Sequence, residues 1–245
     1  MNFVLQAFLA TMFTYLMTTL GSLIVLFFKK INEKILSFIF GLSSGIMIAS
    51  SFFSLLLAAL EEINQNNKLE VSFVIISFLI GSIFILILDR LFCKKEDNLK
   101  IMTFSITLHN IPEGMAIGVA FGLCYLNNIP YTSAWILALG IGIQNIPEGS
   151  AISLPLYSSG VKKIKAFLIG QGSGFVEVIG GVLGAIFVLF FSTSLPYILS
   201  FAAGTMIYVV CQELIPSAFK NEKNMLGILG IIIGFTVMMS LDLLL

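Results

Sequence analysis

The sequence predicts an all-α integral membrane protein with eight transmembrane helices. Hydrophobic residues make up 58% of the 245-residue chain and charged residues only 11%, whereas soluble domains contain about 25% charged residues. So few charges cannot cover the surface of a soluble domain, and 23 Phe would leave large apolar patches in water. The apolar runs are continuous and lack the alternation of barrel strands. Helices therefore satisfy the backbone within the bilayer.

Eight apolar runs are long enough to cross a bilayer, since its hydrocarbon core requires about 20 residues of helix. The predicted spans are 3–28, 35–60, 71–91, 101–124, 131–157, 164–191, 195–219 and 225–245. The first run lacks the basic start and the small-residue cleavage site of a signal peptide, so we interpret it as a span. The connections are too short to hold a soluble domain, which predicts a single transmembrane domain over residues 1–245.

The basic residues predict the orientation of the chain. Of the 13 Lys and Arg, all except Lys68 lie in or beside the first, third, fifth and seventh connections. Cytoplasmic loops retain Lys and Arg, so the odd-numbered connections are predicted to be cytoplasmic. We expect a multi-pass protein of the cell (inner) membrane with both termini outside.

The net charge and the cysteine content argue against several other classes of protein. The formal net charge is zero, which argues against nucleic-acid binding through a basic surface. The three cysteines, Cys93, Cys124 and Cys211, are too widely separated to form a disulfide framework or a CxxC metal site. The sequence leaves open whether the protein forms a homodimer.

Four acidic residues fall inside predicted spans: Glu113, Glu148, Glu177 and Glu213. A charged residue at a helix centre costs about 2.5–3.5 kcal/mol on insertion scales, and such residues normally face a bundle interior and have a function. No Lys or Arg is predicted within a span core to neutralise them. A protonated, hydrogen-bonded carboxyl is an alternative, and Glu213 fits it best.

A pentapeptide, Asn-Ile-Pro-Glu-Gly, occurs at 110–114 in span four and again at 145–149 in span five. Each copy follows another residue with a nitrogen or oxygen ligand atom. Because residues three and four apart share a helix face, two sets of ligands should each converge: His109, Asn110 and Glu113, and Gln144, Asn145 and Glu148. A short connection makes the spans antiparallel neighbours, so the two sets can meet at one depth.

The prolines and glycines of the repeated motif are expected to affect the shape and the packing of the two helices. Pro112 and Pro147 have no N–H to donate, so each helix is expected to kink and to free a carbonyl oxygen. Gly114 and Gly149 leave room for close helix approach.

The ligand types indicate a divalent cation. One imidazole with carboxylates and amides, and without thiolates, suits a borderline or hard divalent ion. Zn²⁺ accepts both His nitrogen and carboxylate oxygen, and Fe²⁺, Mn²⁺ and Cd²⁺ are alternatives. Glu113 and Glu148 could bridge two adjacent ions.

At these residues the chain resembles the ZIP (Zrt/Irt-like) family of divalent-metal transporters, and within it the bacterial GufA-like branch. His-Asn-Ile-Pro-Glu-Gly at 109–114 is similar to the family motif of span four, and Gln-Asn-Ile-Pro-Glu-Gly at 144–149 to that of span five. The resemblance covers the whole chain. It implies inverted repeats of spans one to three and six to eight around spans four and five.

The resemblance also implies two adjacent metal positions. The first would use His109, Glu113, Gln144 and Glu148; the second would use Asn110, Glu113, Asn145, Glu148 and Glu177. Many relatives have His at the position of Gln144, and some have Asp at that of Asn145. The neutral residues here are weaker ligands, which predicts looser binding at the second position or a regulatory role for it.

Three further residues are candidates for the transport path. Glu213 lies in a segment similar to the Glu-Leu-Ile-Pro sequence of the family, near the metal exit. Met47 lies in the segment that resembles the entrance lining, with a packing or lipid role as the alternative. Asp89 could be an exit-side ligand, although pairing with Arg90 or with solvent is the preferred interpretation.

The predicted function is uptake of a divalent metal ion, with Zn²⁺ the first candidate, from outside to the cytoplasm. The metal is the substrate, and no cofactor is expected. No Walker motif is present, so ATP is not the expected driving force. The alternatives are an intramembrane dimetal enzyme, whose usual Glu-x-x-His or His-Glu-x-x-His motif is absent, and a non-selective cation channel.

Overall fold

The computed structural model describes residues 2–92, 98–220 and 225–244. Within these ranges the chain is helical and contains no strand. Its eight helices are α1 (Phe3–Leu23), α2 (Glu33–Ser50), α3 (Lys68–Phe92), α4 (Asn98–Leu126), α5 (Thr132–Ser158), α6 (Lys163–Phe187), α7 (Leu195–Val209) and α8 (Leu226–Leu244). Four residues used in the sequence argument lie outside the described residues: Cys93, Lys94, Lys95 and Lys223.

Three helices continue beyond these bounds in a different geometry. α1 ends in a 3₁₀ turn at Ile24–Phe27. α2 continues through a π-helical segment, Ser51–Leu57, into Ala58–Glu61, and α7 continues through a second π-helical segment, Val210–Leu214, into Ile215–Ala218. The sequence predicted the eight helices but neither of the π-helical segments.

Six of these helical stretches are long and apolar enough to cross a membrane: Phe3–Phe27, Glu33–Glu61, Lys68–Leu91, Lys163–Phe187, Leu195–Ala218 and Leu226–Leu244. The other two, α4 and α5, have 29 and 27 residues and are therefore long enough. They carry the two polar motifs, and these residues lower their hydropathy.

Local sequence explains several helix ends. The side chain of Asn2 accepts a hydrogen bond from the backbone N–H of Val4, and that of Asn32 accepts one from Ile35, as N-cap residues do. The turn after α5 contains Gly160 with φ of 99°. Glycine adopts this conformation without the steric cost that a side chain imposes.

The most extensive helix contacts divide the molecule into two groups. α1, α4, α5 and α6 pack together through the α1–α5, α4–α6 and α1–α6 pairs. In the second group α2 packs on α8 and α3 on α7, and α2 with its continuation also contacts α7. Glycines allow the closest approaches. A Cβ atom at Gly21 would overlap the carbonyl oxygen of Ile146, and one at Gly45 would overlap that of Ile231. Side chains at these positions would separate the helices.

Two cavities lie at opposite ends of the helix bundle. A cavity of about 1220 Å³ gathers residues from the ends of the odd-numbered connections, such as Glu33, Arg90 and Lys220. We call this the basic end. A cavity of about 410 Å³ gathers residues from the even-numbered connections, such as Glu61 and Asn127. Successive connections therefore alternate between the two ends, as expected of antiparallel helices.

Candidate metal centre

The predicted ligands are brought together in the middle of the α1, α4, α5 and α6 group. Each of the seven side chains is at most 1% exposed: His109, Asn110, Glu113, Gln144, Asn145, Glu148 and Glu177. Pro112 and Pro147 lie inside helices that continue without interruption. The two motifs meet at one depth, as their spacing predicted, because His109 lies beside Glu148 and Gln144 beside Glu113.

The first cluster consists of His109, Glu113 and Glu148. The Nε2 atom of His109 lies 3.9 Å from Oε1 of Glu113 and 3.7 Å from Oε2 of Glu148. One ligand atom from each residue falls within 4.8 Å of the other two, a spacing that could hold a metal ion. The Nδ1 atom of His109 lies 3.4 Å from the carbonyl oxygen of Ser105. A proton on Nδ1 would leave Nε2 free as a ligand.

Gln144 belongs to the same cluster. Its Nε2 donates a hydrogen bond of 2.8 Å to Oε1 of Glu113, and its Oε1 is buried without a partner. Among the residues that the structure describes, no Lys or Arg pairs with Glu113 or Glu148. The two carboxyl groups thus face each other with a neutral amide and an imidazole, an arrangement that a divalent cation would stabilise.

The second cluster joins α5 to α6 and α1. The Nδ2 of Asn145 lies 2.8 and 2.9 Å from the two carboxyl oxygens of Glu177, and it also donates to the carbonyl oxygen of Thr14 at 3.4 Å. The Nδ2 of Asn110 donates to the carbonyl oxygen of Ser173 at 3.2 Å. Because a carbonyl oxygen can only accept, these bonds assign the amide nitrogens and leave each Oδ1 as a free acceptor.

Unpartnered polar atoms are concentrated at this centre. Buried side-chain nitrogen and oxygen atoms almost always have hydrogen-bond partners. Seven atoms here have none: Nε2 of His109, Oδ1 of Asn110, Oε2 of Glu113, Oε1 of Gln144, Oδ1 of Asn145, and Oε1 and Oε2 of Glu148. Apart from the histidine nitrogen they are all oxygens, so the centre offers electron pairs, which is the chemistry of a cation site.

Close packing of glycine against backbone holds the ligands in place. A Cβ atom at Gly114 would overlap the carbonyl oxygen of Glu177, and one at Gly149 would overlap that of Thr18. The predicted role of these two glycines in close helix approach is confirmed. Their contacts bring α6 against α4, and α1 against α5, at the level of the ligands.

The three candidates for the transport path lie elsewhere. Asp89 and Glu213 both line the cavity at the basic end. Asp89 is only 9% exposed, and its carboxyl group accepts from the hydroxyls of Ser105 (3.4 Å) and Tyr208 (3.1 Å). Two hydroxyl partners were not anticipated, and both interpretations of Asp89, an exit-side ligand or a residue paired with Arg90 or solvent, stay predictions. Met47 is buried in the core and lines neither cavity.

Sequence reasoning missed several contacts. The carbonyl groups of Thr14 and Ser173 carry no sequence signal, but Thr11, Thr14 and Thr18 recur at helical spacing and are all buried. That polar stripe on α1 could have indicated its place beside the ligands. Asp242 was also missed. Its Oδ1 accepts a 2.5 Å hydrogen bond from Ser54, and it lines the cavity at the opposite end.

The fold and the centre together define a helical membrane protein with a buried His/Glu/Glu group that could hold a metal ion. Comparison with known sequences agrees with this class. The pattern described as the ZIP zinc transporter matches residues 98–242. Three relatives are a zinc transporter ZIP11 of Xenopus tropicalis, 32% identical over 98% of this chain and 97% of its own length; a zinc transporter ZupT of Clostridium perfringens, 32% identical over 97% and 95%; and a zinc transporter GufA of Myxococcus xanthus, 30% identical over 92% and 93%.

The chain belongs to the ZIP zinc transporter family. The resemblance seen in the two motifs, including that to the GufA branch, is confirmed. The family consists of transporters rather than enzymes, so the dimetal-enzyme alternative is not favoured.

Proposed function

We propose that the protein moves a divalent metal ion, Zn²⁺ first and Fe²⁺, Mn²⁺ or Cd²⁺ as alternatives, from outside the cell into the cytoplasm. The ion would bind between α4, α5 and α6. The observation that carries this proposal is the buried cluster of His109, Glu113 and Glu148, with ligand atoms within 4.8 Å of one another. These relatives are named zinc transporters, which supports Zn²⁺ as the substrate.

Two adjacent ions would share the centre. The first would bind His109, Glu113, Gln144 and Glu148. The second would use the free Oδ1 atoms of Asn110 and Asn145 with the carboxyl groups of Glu113, Glu148 and Glu177. Neutral amides bind a cation more weakly than carboxylates, so the second ion would dissociate more readily, and release is a necessary step of transport.

We also propose that the whole chain is a single transport domain of eight spans built from inverted repeats, α1–α3 and α6–α8 around α4 and α5. Matched contacts support the repeat. Asn145 donates to Thr14, and Asn110 donates to Ser173. The two donors are 35 positions apart, and the two acceptors are 159 positions apart. Two glycine contacts obey the same offsets: Gly21 with Ile146, and Gly180 with Ile111.

The mechanism would be alternating access driven by the gradients across the membrane. Two groups of helices would move relative to each other. One group consists of α1, α4, α5 and α6, and the other of α2, α3, α7 and α8. With the basic end in the cytoplasm and both termini outside the inner membrane, an inward-negative potential favours entry. It contributes about 2.3 kcal/mol per charge per 100 mV, and so about twice that for a divalent ion.

Uptake into proteoliposomes tests the proposal. Wild-type protein should give saturable Zn²⁺ entry, and Glu113→Ala should abolish it, because Glu113 belongs to both metal positions. The matched control is Glu70→Ala, which removes a carboxylate whose hydrogen-bond partners, within the described part of the chain, are the exposed loop residues Asn64 and Asn67. The control should transport at the wild-type rate. Normal uptake by Glu113→Ala would show that the site is assigned wrongly.

A further inference from the structure

The two π-helical segments occupy corresponding places in the two halves of the molecule. They begin at Ser51 in α2 and at Val210 in α7, which are 159 positions apart. The same offset relates Thr14 to Ser173 and Gly21 to Gly180 in the matched contacts above. A π-helix is rare and occurs mostly as a short bulge inside an α-helix, and such bulges are frequent at functional sites. The two halves of the molecule therefore share a π bulge at corresponding positions.

Each π-helical segment begins just after a tightly packed stretch of helix. A Cβ atom at Gly45 would overlap the carbonyl oxygen of Ile231 in α8, and one at Gly204 would overlap that of Phe78 in α3. These two contacts also correspond to each other in the two halves of the molecule. The two glycines are 159 positions apart, and the residues that they contact are 153 positions apart. Backbone in such close contact cannot slide without separating the helices. The halves of α2 and α7 before the bulges are therefore fixed.

The π-helical segments themselves line the two cavities. Phe53, Ser54 and Leu57 of α2 face the cavity at the opposite end, and Gln212 and Glu213 of α7 face the cavity at the basic end. Each segment thus lies between a fixed half-helix and one of the two open ends of the molecule.

In each half, a hydrogen bond joins the helix that contains the π-helical segment to an aspartate of the helix packed against it. Ser54, inside the first segment, donates to Asp242 of α8 at 2.5 Å. Tyr208, two residues before the second segment, donates to Asp89 of α3 at 3.1 Å. The two aspartates are 153 positions apart, as are the partners of the packed glycines. A change in the twist of the first segment would move Ser54 relative to Asp242, whereas Tyr208 lies in the half of α7 that stays in place and fastens it to α3.

We propose that the two π-helical segments are paired hinges that open the two cavities toward the metal centre in turn. A switch from π to α geometry would rotate the following residues by about 100° and shift them by about 1.5 Å along the axis, while the glycine-packed half stays in place. The inference rests on the proposed transport function, because a protein that only binds metal has no need of two gates.

Removal of one residue from a π bulge restores α-helical register, which gives a direct test. Phe52 is 53% exposed and Cys211 is exposed, so either can be deleted without taking a side chain from the core. Each single deletion should lower the initial rate of Zn²⁺ uptake by about tenfold or more while the Kd for Zn²⁺ changes by less than about twofold. The controls Phe52→Ala and Cys211→Ala lose the same side chains but keep the bulge, and should transport normally.

A deletion variant that transports as fast as its alanine control would overturn the hinge. Glu113→Ala tests the proposed function separately, because that variant should lose Zn²⁺ binding, whereas the deletions should retain it. Hydrogen exchange on the unmodified protein gives a second test that does not depend on the folding of a variant. Amides of 51–57 and 210–214 should exchange faster than those of 41–50 and 200–209 and should respond to Zn²⁺. Equal exchange in both sets, unaffected by Zn²⁺, contradicts the proposal.

Discussion

Asn145 is the neutral neighbour of Glu177 in the proposed second ion position. Its amide nitrogen contacts both oxygens of Glu177, and its Oδ1 remains without a partner. A neutral amide holds the carboxyl group of Glu177 in place without adding charge. The sequence pointed to both residues through the motif and the family resemblance, but not to their direct contact, because 32 positions separate them.

Asn145→Asp should therefore strengthen metal binding and slow transport. The new carboxylate would face Glu177, and a bound cation would relieve the repulsion between them. We expect the Kd for Zn²⁺ to fall by about tenfold, equivalent to about 1.4 kcal/mol, together with a lower maximal uptake rate. Isothermal titration and liposome uptake measure the two quantities. Asn67→Asp in the exposed loop is the control, and an unchanged Kd in Asn145→Asp would refute this role.

Glycine contacts set the spacing between the helices. Gly21 lies against the carbonyl oxygen of Ile146, one residue before Pro147, so it positions α1 directly on the metal motif of α5. Gly172 on α6, in contrast, has no side chain or neighbouring helix of the described residues within 4 Å of the place where a Cβ would lie. The two positions allow a matched comparison of the same substitution.

Gly21→Ala should destabilise the protein, whereas Gly172→Ala should not. Overpacking of a close contact costs about 1–3 kcal/mol, and α1 would have to move away from α5 to accommodate the new methyl group. Thermal unfolding of the purified protein in detergent measures the difference. Equal melting temperatures for the two variants would show that the α1–α5 contact is not as close as described.

The sequence allowed the helices to be predicted because continuous apolar runs need only local information. It also indicated which polar side chains converge, since the motif repeats and each copy uses helical spacing. It did not reveal the π-helical segments, because a bulge depends on packing against a partner helix. The bonds from Asn145 to Thr14 and from Asn110 to Ser173 were equally hidden, because their partners lie 131 and 63 positions away.

At the scale of the whole molecule, basic residues gather at one end of the helix bundle, and this placement supports the proposed orientation. At the basic end, Lys220 and Arg90 line the larger cavity. The side chain of Lys163, at the end of the fifth connection, donates to the carbonyl oxygen of Leu26 at the end of the first span. Positive charges of this kind are retained on the cytoplasmic side.

Labelling of single cysteines tests this orientation. In a background where Cys93, Cys124 and Cys211 are replaced by Ala, Glu70→Cys should react with a membrane-impermeant maleimide in intact cells. Lys162→Cys should react only after permeabilisation. The reverse pattern would place the basic end outside and reverse the proposed direction of uptake.

The most direct test of the central claim is X-ray absorption at the zinc edge on the untagged, Zn²⁺-loaded protein. His109 is the only histidine of the chain, so an imidazole signal can come from no other residue. We expect one imidazole nitrogen at about 2.0–2.1 Å with oxygen ligands at about 2.0–2.2 Å, and loss of the imidazole signal in His109→Ala. A zinc environment of oxygen ligands alone in the wild-type protein would contradict the assignment of this centre.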